Sequence, residues 1–256
     1  MKFFPRLRFF LVAMRLGSQD VLQAYRRSSI GPFWITIGMA VQVAAIGSVF
    51  GLIFGADLSE FLPFLAVSLI LWGFISNSIS DGSMAFVTGQ AILRQLPLPQ
   101  FIHVLRSMWK NILVLSHNLV IVPLVFILFL RSPNLNLLYF LPGMLLTTTF
   151  LFFSTFVLGL LTTRYRDMQQ ITASVVAVMF YVTPVIWQPS LIPSGTAHLL
   201  LGLNPFYHFL QIIRLPILGQ PPTFENWALS IAMTLVAGLA AYFASKKYKN
   251  RLAYWV

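Results

Sequence analysis

The chain has 256 residues, of which 58% are hydrophobic and only 9% charged, and it contains no cysteine. A soluble domain carries roughly 25% charged residues, so too little polar surface is present to coat a water-soluble globule; the missing thiols exclude disulfides and thiolate metal sites. The net charge of +11, from 17 Lys and Arg against 6 Asp and Glu, would suggest nucleic acid in a soluble protein, but its placement along the chain excludes that partner.

The first 30 residues mix Phe and Leu with arginine. On a helix Arg8, Arg15, Gln19 and Arg26 fall along one line beside an apolar face, which predicts a helix lying in the headgroup region of a membrane. A signal peptide is the competing reading; Arg8 and Arg15 interrupt its apolar run, and no small-residue cleavage site follows.

A hydrocarbon core of ~30 Å requires ~17–25 apolar residues per helix. Six uncharged runs qualify: 33–54, 61–80, 112–130, 137–161, 171–187 and 226–244. The fifth is the shortest, and Pro184 is expected to kink it. The connection over 188–225 holds a further apolar stretch, broken by Gly202, Asn204, Pro205, Arg214 and Pro216. It is expected to form a broken re-entrant hairpin, with an imperfect seventh span as the alternative. The fold class is therefore all-α integral membrane, a single transmembrane domain over 1–256 with six spans.

Alternate crossings divide the cations unevenly. Fifteen lie in the N-terminal segment, the 81–111 and 162–170 connections and the C-terminal tail, and only Arg131 and Arg214 lie on the other side. Cytoplasmic loops are enriched in Lys and Arg, so both termini are assigned to the cytoplasm, in a bacterial inner membrane.

The spans hold no Asp, Glu, Lys or Arg, and one histidine, His117; Asp81 lies just beyond the second. His103, His117, His198 and His208 have no carboxylate at metal or triad spacing, and no phosphate-cradling glycine loop is present. No catalytic residue and no metal site are predicted, and the chain has no nucleotide site of its own. His117 and Asn118 read as a helix–helix hydrogen-bonding pair. Residues 88–97 form a short helix stopped at Pro97, with Ile92, Leu93 and Leu96 on one side beside Arg94. A groove on a partner could grip such a helix; a loop helix lying on lipid is the alternative.

Three motifs in order resemble a known family, the membrane subunits of ATP-binding-cassette exporters of polysaccharides. The segment from Asp20 through Tyr25, Arg26, Ser28 and Gly31 to Trp34 resembles the family's R-D-x-x-x-R-Y-R-x-S-x-L-G-x-x-W approach to span one. Thr163 to Met168 is similar to V-R-Y-R-D-V before span five. Thr183, Pro184, Val185 and Ile186, then Leu203 to Phe206 and Arg214, match T-P-I-x…L-N-P-x…R. Two family features are altered: Met39-Ala40 replaces a P-L pair, and Arg94 to Pro99 replaces K-x-x-F-P-R. With Trp109 to Asn111 and His117-Asn118, these lean toward the O-antigen branch.

The resemblance implies a half-transporter without its own ATPase. Two copies would form a conduit and two copies of a nucleotide-binding subunit, carrying ATP and Mg, would dock beneath it, with no cofactor in this chain. Ile92, Leu93, Arg94 and Leu96 would couple to that subunit. The substrate would be a glycan on a polyprenyl pyrophosphate. Arg26, Arg27, Arg164 and Arg166 are candidates for its headgroup, or mark topology on lipid phosphates, with Asp167 as an internal partner for the last two. Phe50, Phe54, Trp72, Phe74, Phe180, Tyr181 and Trp187 are candidates for an aromatic pore lining, or form the ordinary interfacial belt. An exporter of a drug or small lipid, a membrane enzyme acting on polyprenyl carriers, and a passive channel are the alternatives.

Overall fold

A computed structural model of the chain describes residues 4–95, 98–189, 195, 201–248 and 251–255. Among these no strand occurs, and the protein is an all-α integral membrane protein. Helix α1 (Phe4–Ala24) precedes α2 (Phe33–Phe54) and α3 (Leu58–Ser83), which are followed by the short α4 (Ala85–Thr88) and α5 (Gln90–Gln95). Next come α6 (Phe101–Asn118), α7 (Ile121–Leu128), a 3₁₀ turn (Leu135–Tyr139), α8 (Phe140–Arg164) and α9 (Met168–Val182). Helices α10 (Pro205–Ile217), α11 (Phe224–Tyr248) and α12 (Leu252–Trp255) complete the described chain.

Five stretches are long and apolar enough to cross a membrane: Phe33–Phe54, Leu58–Ser83, Phe101–Leu128, Leu135–Arg164 and Phe224–Tyr248. Prolines explain where the others depart from the expected runs. The ring of Pro123 conflicts with the carbonyl four residues earlier, that of Leu119, and the third crossing breaks there into α6 and α7. Pro184 forces Thr183 into extended backbone (φ −83°, ψ 135°), so α9 stops at Val182 after 15 residues instead of kinking and continuing. At about 1.5 Å per residue, α9 is shorter than a hydrocarbon core of about 30 Å. Its non-helical continuation, Thr183 to Ile186, is buried in protein, the condition under which irregular backbone is tolerated at membrane depth.

Helix α3 is the hub. Sixteen of its 26 residues are buried, whereas α2 and α11 bury three and four and leave most of their apolar surface outward. It packs against α2, α6, α7, α8, α9 and α10. Buried hydroxyls on α8 need no partner helix, because Thr147, Thr155 and Thr163 each donate to the carbonyl four residues back.

Helix α10 has 13 residues, too few to cross a hydrocarbon core of about 30 Å, and nine of them are buried. Asn204 caps it by accepting from the Phe206 and Tyr207 amides, and also donates to Thr183 Oγ1 at 2.9 Å. Phe209 stacks on Phe150 of α8 with ring centroids 4.1 Å apart. Pro216 cannot donate to the Ile212 carbonyl, and Gly143 of α8 lies against that oxygen so closely that an added Cβ would sit 2.5 Å from it. The other arm of the expected hairpin falls on 190–194 and 196–200, outside the described residues, as does His198.

The N-terminal helix has the expected stripe, with Arg8, Arg15 and Gln19 exposed. Its opposite edge, Ala13, Gly17 and Val21, is buried against α6, while the apolar side chains of Phe10, Leu11 and Leu22 are exposed. Gly17 permits the contact, because a Cβ there would meet the Arg106 carbonyl oxygen at 2.6 Å.

Candidate functional site

Two cavities occupy opposite ends of the bundle. The first, of about 810 Å³, lies at the end carrying α1 and α12, among α1, α2, α3, α6 and α9. Charged residues enter it from three helices. Asp20 of α1 accepts from Arg106 Nε at 2.6 Å and Nη2 at 2.5 Å, a bidentate pair with only a quarter of each side chain exposed. Trp109 Nε1 donates to Ser18 Oγ at 2.9 Å one turn along. Asp81, at the end of α3, pairs with Lys110 Nζ at 2.6 Å and accepts from Asn111 Nδ2 at 3.0 Å. Two carboxylates and two cations thus balance, and α6 is held to α1 on one side and to α3 on the other.

In the sequence Arg106 and Lys110 were visible as topology charges, Asp81 as an isolated acid and Asp20 as the start of a motif, with nothing to pair them. The signal was the spacing of Arg106 and Lys110, four residues apart on one helix face, with two acids available at neighbouring helix ends. Both carboxylates that line the cavity are committed to a cation.

The headgroup candidates are dispersed. Arg26 and Arg27 are exposed in the turn after α1, just beyond Tyr25, which lines the cavity. Arg164 and Arg166 are exposed between α8 and α9; the Arg164 guanidinium lies 5.1 Å from the Tyr165 ring and 5.4 Å from that of Trp255. None of the four lines this cavity, and among the described residues neither Arg164 nor Arg166 forms an ion pair with Asp167.

The aromatic candidates divide. Trp72 and Phe74 are buried inside the chain, Trp72 meeting Phe180 and Phe206 with centroids 6.1 and 5.8 Å away. Phe50, Phe54, Phe180 and Trp187 are half-buried, Tyr181 is exposed, and Trp187 Nε1 donates to the Tyr181 carbonyl. Within the coupling candidates Ile92 and Leu93 are half-buried, Leu93 against the core; Ala91 and Gln95 form the exposed edge of α5. Leu96, Pro97 and the Arg94 side chain lie outside the described residues.

Two of the histidines, His117 and His208, take part in contacts between helices. His117 bonds to the Leu113 carbonyl of its own helix at 2.8 Å, and its backbone oxygen accepts from Thr36 of α2, so the helix–helix link runs through backbone and not through the predicted side-chain pair. His208 is hydrogen-bonded to Asn226 of α11 and to the Gly202 carbonyl. Among the described residues no group of three His, Asp or Glu could hold a metal.

The second cavity, of about 960 Å³, lies at the opposite end, where the start of α3, residues 130–135 and residues 188–189 meet α10 and the three residues after it. Arg214 reaches it fully buried. Its Nη1 donates to Ser68 Oγ at 3.1 Å and to the Pro184 carbonyl at 2.6 Å, and Nη2 to Gln211 Oε1 at 2.9 Å. The guanidinium lies 4.6 Å from the Phe64 ring. Glu60 and Arg131 line the cavity too, 3.7 Å apart.

A bundle of apolar crossings around one buried helix, with a short buried helix at one end and a charge-locked surface helix at the other, defines a polytopic membrane protein. The family model described as ABC-2 type transporter matches residues 13–218, and the chain belongs to that family. It is similar to the O-antigen export system permease protein RfbA of Myxococcus xanthus, at 24% identity over 194 residues and 74% of each chain. Two Klebsiella pneumoniae proteins of that name match at 18% and 21% identity, each over 70% of both chains. The protein is accordingly the membrane component of an ABC-2 type transporter.

Proposed function

We propose that this permease works in an ATP-driven exporter that carries a polyprenyl-pyrophosphate-linked polysaccharide of the O-antigen class across a bacterial inner membrane. Both termini face the cytoplasm. Two copies of the chain form the conduit, and two copies of a separate nucleotide-binding subunit, holding ATP and Mg, supply the work. The observation that carries this reading is the similarity to O-antigen export permeases over about three quarters of the chain. It is supported by α4 and α5, presented between α3 and α6 at the cation-rich end, where a partner would reach them.

The exposed arginines Arg26, Arg27, Arg164 and Arg166 sit at the headgroup level in this arrangement, suited to meeting a pyrophosphate or lipid phosphates. Tyr181 and the half-buried Phe50, Phe54, Phe180 and Trp187 are the aromatics placed to touch a passing glycan, whereas Trp72 and Phe74 require a rearranged protomer to do so.

Purification from the native membrane tests the reading, with a stoichiometric ATPase expected to accompany the chain and loss of surface glycan expected on deletion. A chain that arrives without an ATPase, or a deletion strain with an unchanged surface glycan, overturns it. Because the chain contains no cysteine, Ala91→Cys gives a single-site probe of docking. Labelled there with a benzophenone maleimide, it should photo-cross-link to the ATPase, and a complex that co-purifies without cross-linking places the docking site elsewhere.

A further inference from the structure

Beyond the cation-rich end the sequence has only two positively charged residues, Arg131 and Arg214, although they are separated by 82 residues. Both line the same cavity. Cations are rare on that side of a membrane protein, and a buried one is costly unless its charge is compensated. Arg131 has Glu60 as a partner, loosely. Arg214 has no carboxylate at ion-pair distance among the described residues, and its Nε is buried there without a hydrogen-bond acceptor.

Three neutral acceptors use three of the five N–H groups of the guanidinium. Phe64 covers one face of the guanidinium, and along its edge Nε and the second Nη2 hydrogen have no acceptor among the described residues. A carboxylate is the group whose two oxygens match that edge. The surrounding wall is not that of a simple anion hole. Gln188, Gln211 and Gln220 contribute amides able to donate to and accept from hydroxyls, and Phe64 and Phe126 contribute flat apolar surface. At about 960 Å³ the space lies at the upper end of small-molecule sites, whose volumes run to about 1,000 Å³.

We propose that this cavity is a binding site for a carboxylate-bearing sugar of the exported chain, with Arg214 as its fixed cation and Arg131 as a second cation at its rim. The proposal rests on the polysaccharide-export reading and narrows it to an acidic glycan. Binding at the exit end gives the leading part of the chain a holding point while the rest is still crossing.

The purified chain in lipid nanodiscs, without any ATPase, is titrated calorimetrically with a tetrasaccharide of alternating glucuronate and N-acetylglucosamine, with chitotetraose, and with inorganic phosphate. The acidic tetrasaccharide should bind about tenfold more tightly than chitotetraose, as one charge-assisted contact allows. Arg214→Gln should remove that preference. Arg131→Gln, an exposed position that does not threaten folding, should weaken the acidic ligand by about threefold. Arg214→Lys should restore part of the preference lost in Arg214→Gln, because charge returns without the planar edge.

Equal binding of the two tetrasaccharides, or an acidic ligand indifferent to both Arg131→Gln and Arg214→Gln, overturns the proposal. If phosphate binds as tightly as the acidic tetrasaccharide, the cavity is an anion site and the sugar assignment fails. If Arg214→Gln does not fold, the Arg131→Gln titration and the comparison of the two tetrasaccharides decide. These results leave the export reading standing or falling on ATPase co-purification, so the two failures are distinguishable.

Discussion

The two ends of the bundle treat charge in opposite ways. At the end with α1 and α12, Asp20 and Arg106, and Asp81 and Lys110, lie within 2.6 Å of each other and remain a quarter to a third exposed. Water still reaches these groups, so the pairs gain Coulomb attraction without the full desolvation penalty, and they join helices from separate parts of the chain. At the other end Glu60 and Arg131 meet at 3.7 Å with side chains 73% and 46% exposed, while Arg214 is wholly buried on neutral acceptors. Paired charges therefore fasten the architecture at one end. At the other, Arg214, with no carboxylate partner among the described residues, ties α3, α10 and the unwound end of α9 together beside a cavity.

The comparison breaks most severely where packing, not charge, holds Arg214 in position. Gly143→Val places a branched side chain against the Ile212 carbonyl, 2.5 Å from the new Cβ, and backbone there cannot yield as a flexible side chain would. A loss of about 3 kcal/mol is expected, the upper end for overpacking. Thermal unfolding in detergent checks it, and an unchanged melting temperature would show that α10 does not rest on α8 as described.

The charged end is tested by double-mutant cycles. The Asp20→Asn and Arg106→Gln cycle should return a coupling of about 1–2 kcal/mol, because the contact is bidentate and largely sheltered. The matching cycle for Asp81 and Lys110 should return under about 1 kcal/mol, since a single contact at greater exposure is screened, and it should shrink further in high salt. Equal coupling in the two cycles would show that exposure does not rank them. Asp20→Asn should also make α1 more accessible to protease, a readout that the Asp81 variant should not move.

Much of this architecture was legible in advance, and unevenly so. The first span, 33–54, is identical with α2, because uninterrupted apolar sequence and a left-handed Gly55 cap leave it no other boundary. The fifth span was misjudged at Pro184, where the local steric rule was readable but the choice between a kink and a stop depends on tertiary burial, and the third crossing begins at Phe101, earlier than hydropathy placed it. Nothing in hydropathy distinguishes α3, buried by protein, from α2, largely exposed, since lipid and protein interiors demand the same apolar residues. The ion pairs across 86 and 29 residues needed the folded chain, as did the convergence of Arg131 and Arg214 on one cavity. Arg214 alone carried a local sign, an arginine amid apolar residues with Gln211 one helical turn before it.

The smallest effect distinguishes the ends by pH. Asp57 caps α3 at the end of the Arg214 cavity, and the Ser59 amide, donating to Oδ1 at 2.9 Å, together with the Ser59 hydroxyl, holds its carboxyl below the usual carboxylate range. A folded-state value below the unfolded one means the unfolded chain binds its proton first as pH falls. The contribution of this cap is therefore complete above the ordinary carboxylate range and is lost as the pH drops through the lowered value. The difference in melting temperature between the wild type and Asp57→Asn should accordingly be largest near neutrality and shrink on acidification below about pH 4. The shift belongs to a fully exposed group, so it should be small at every pH, and only its direction is diagnostic. A difference that grows on acidification would mean the carboxylate opposes folding, and would remove the Ser59 contact as the reason α3 begins where it does.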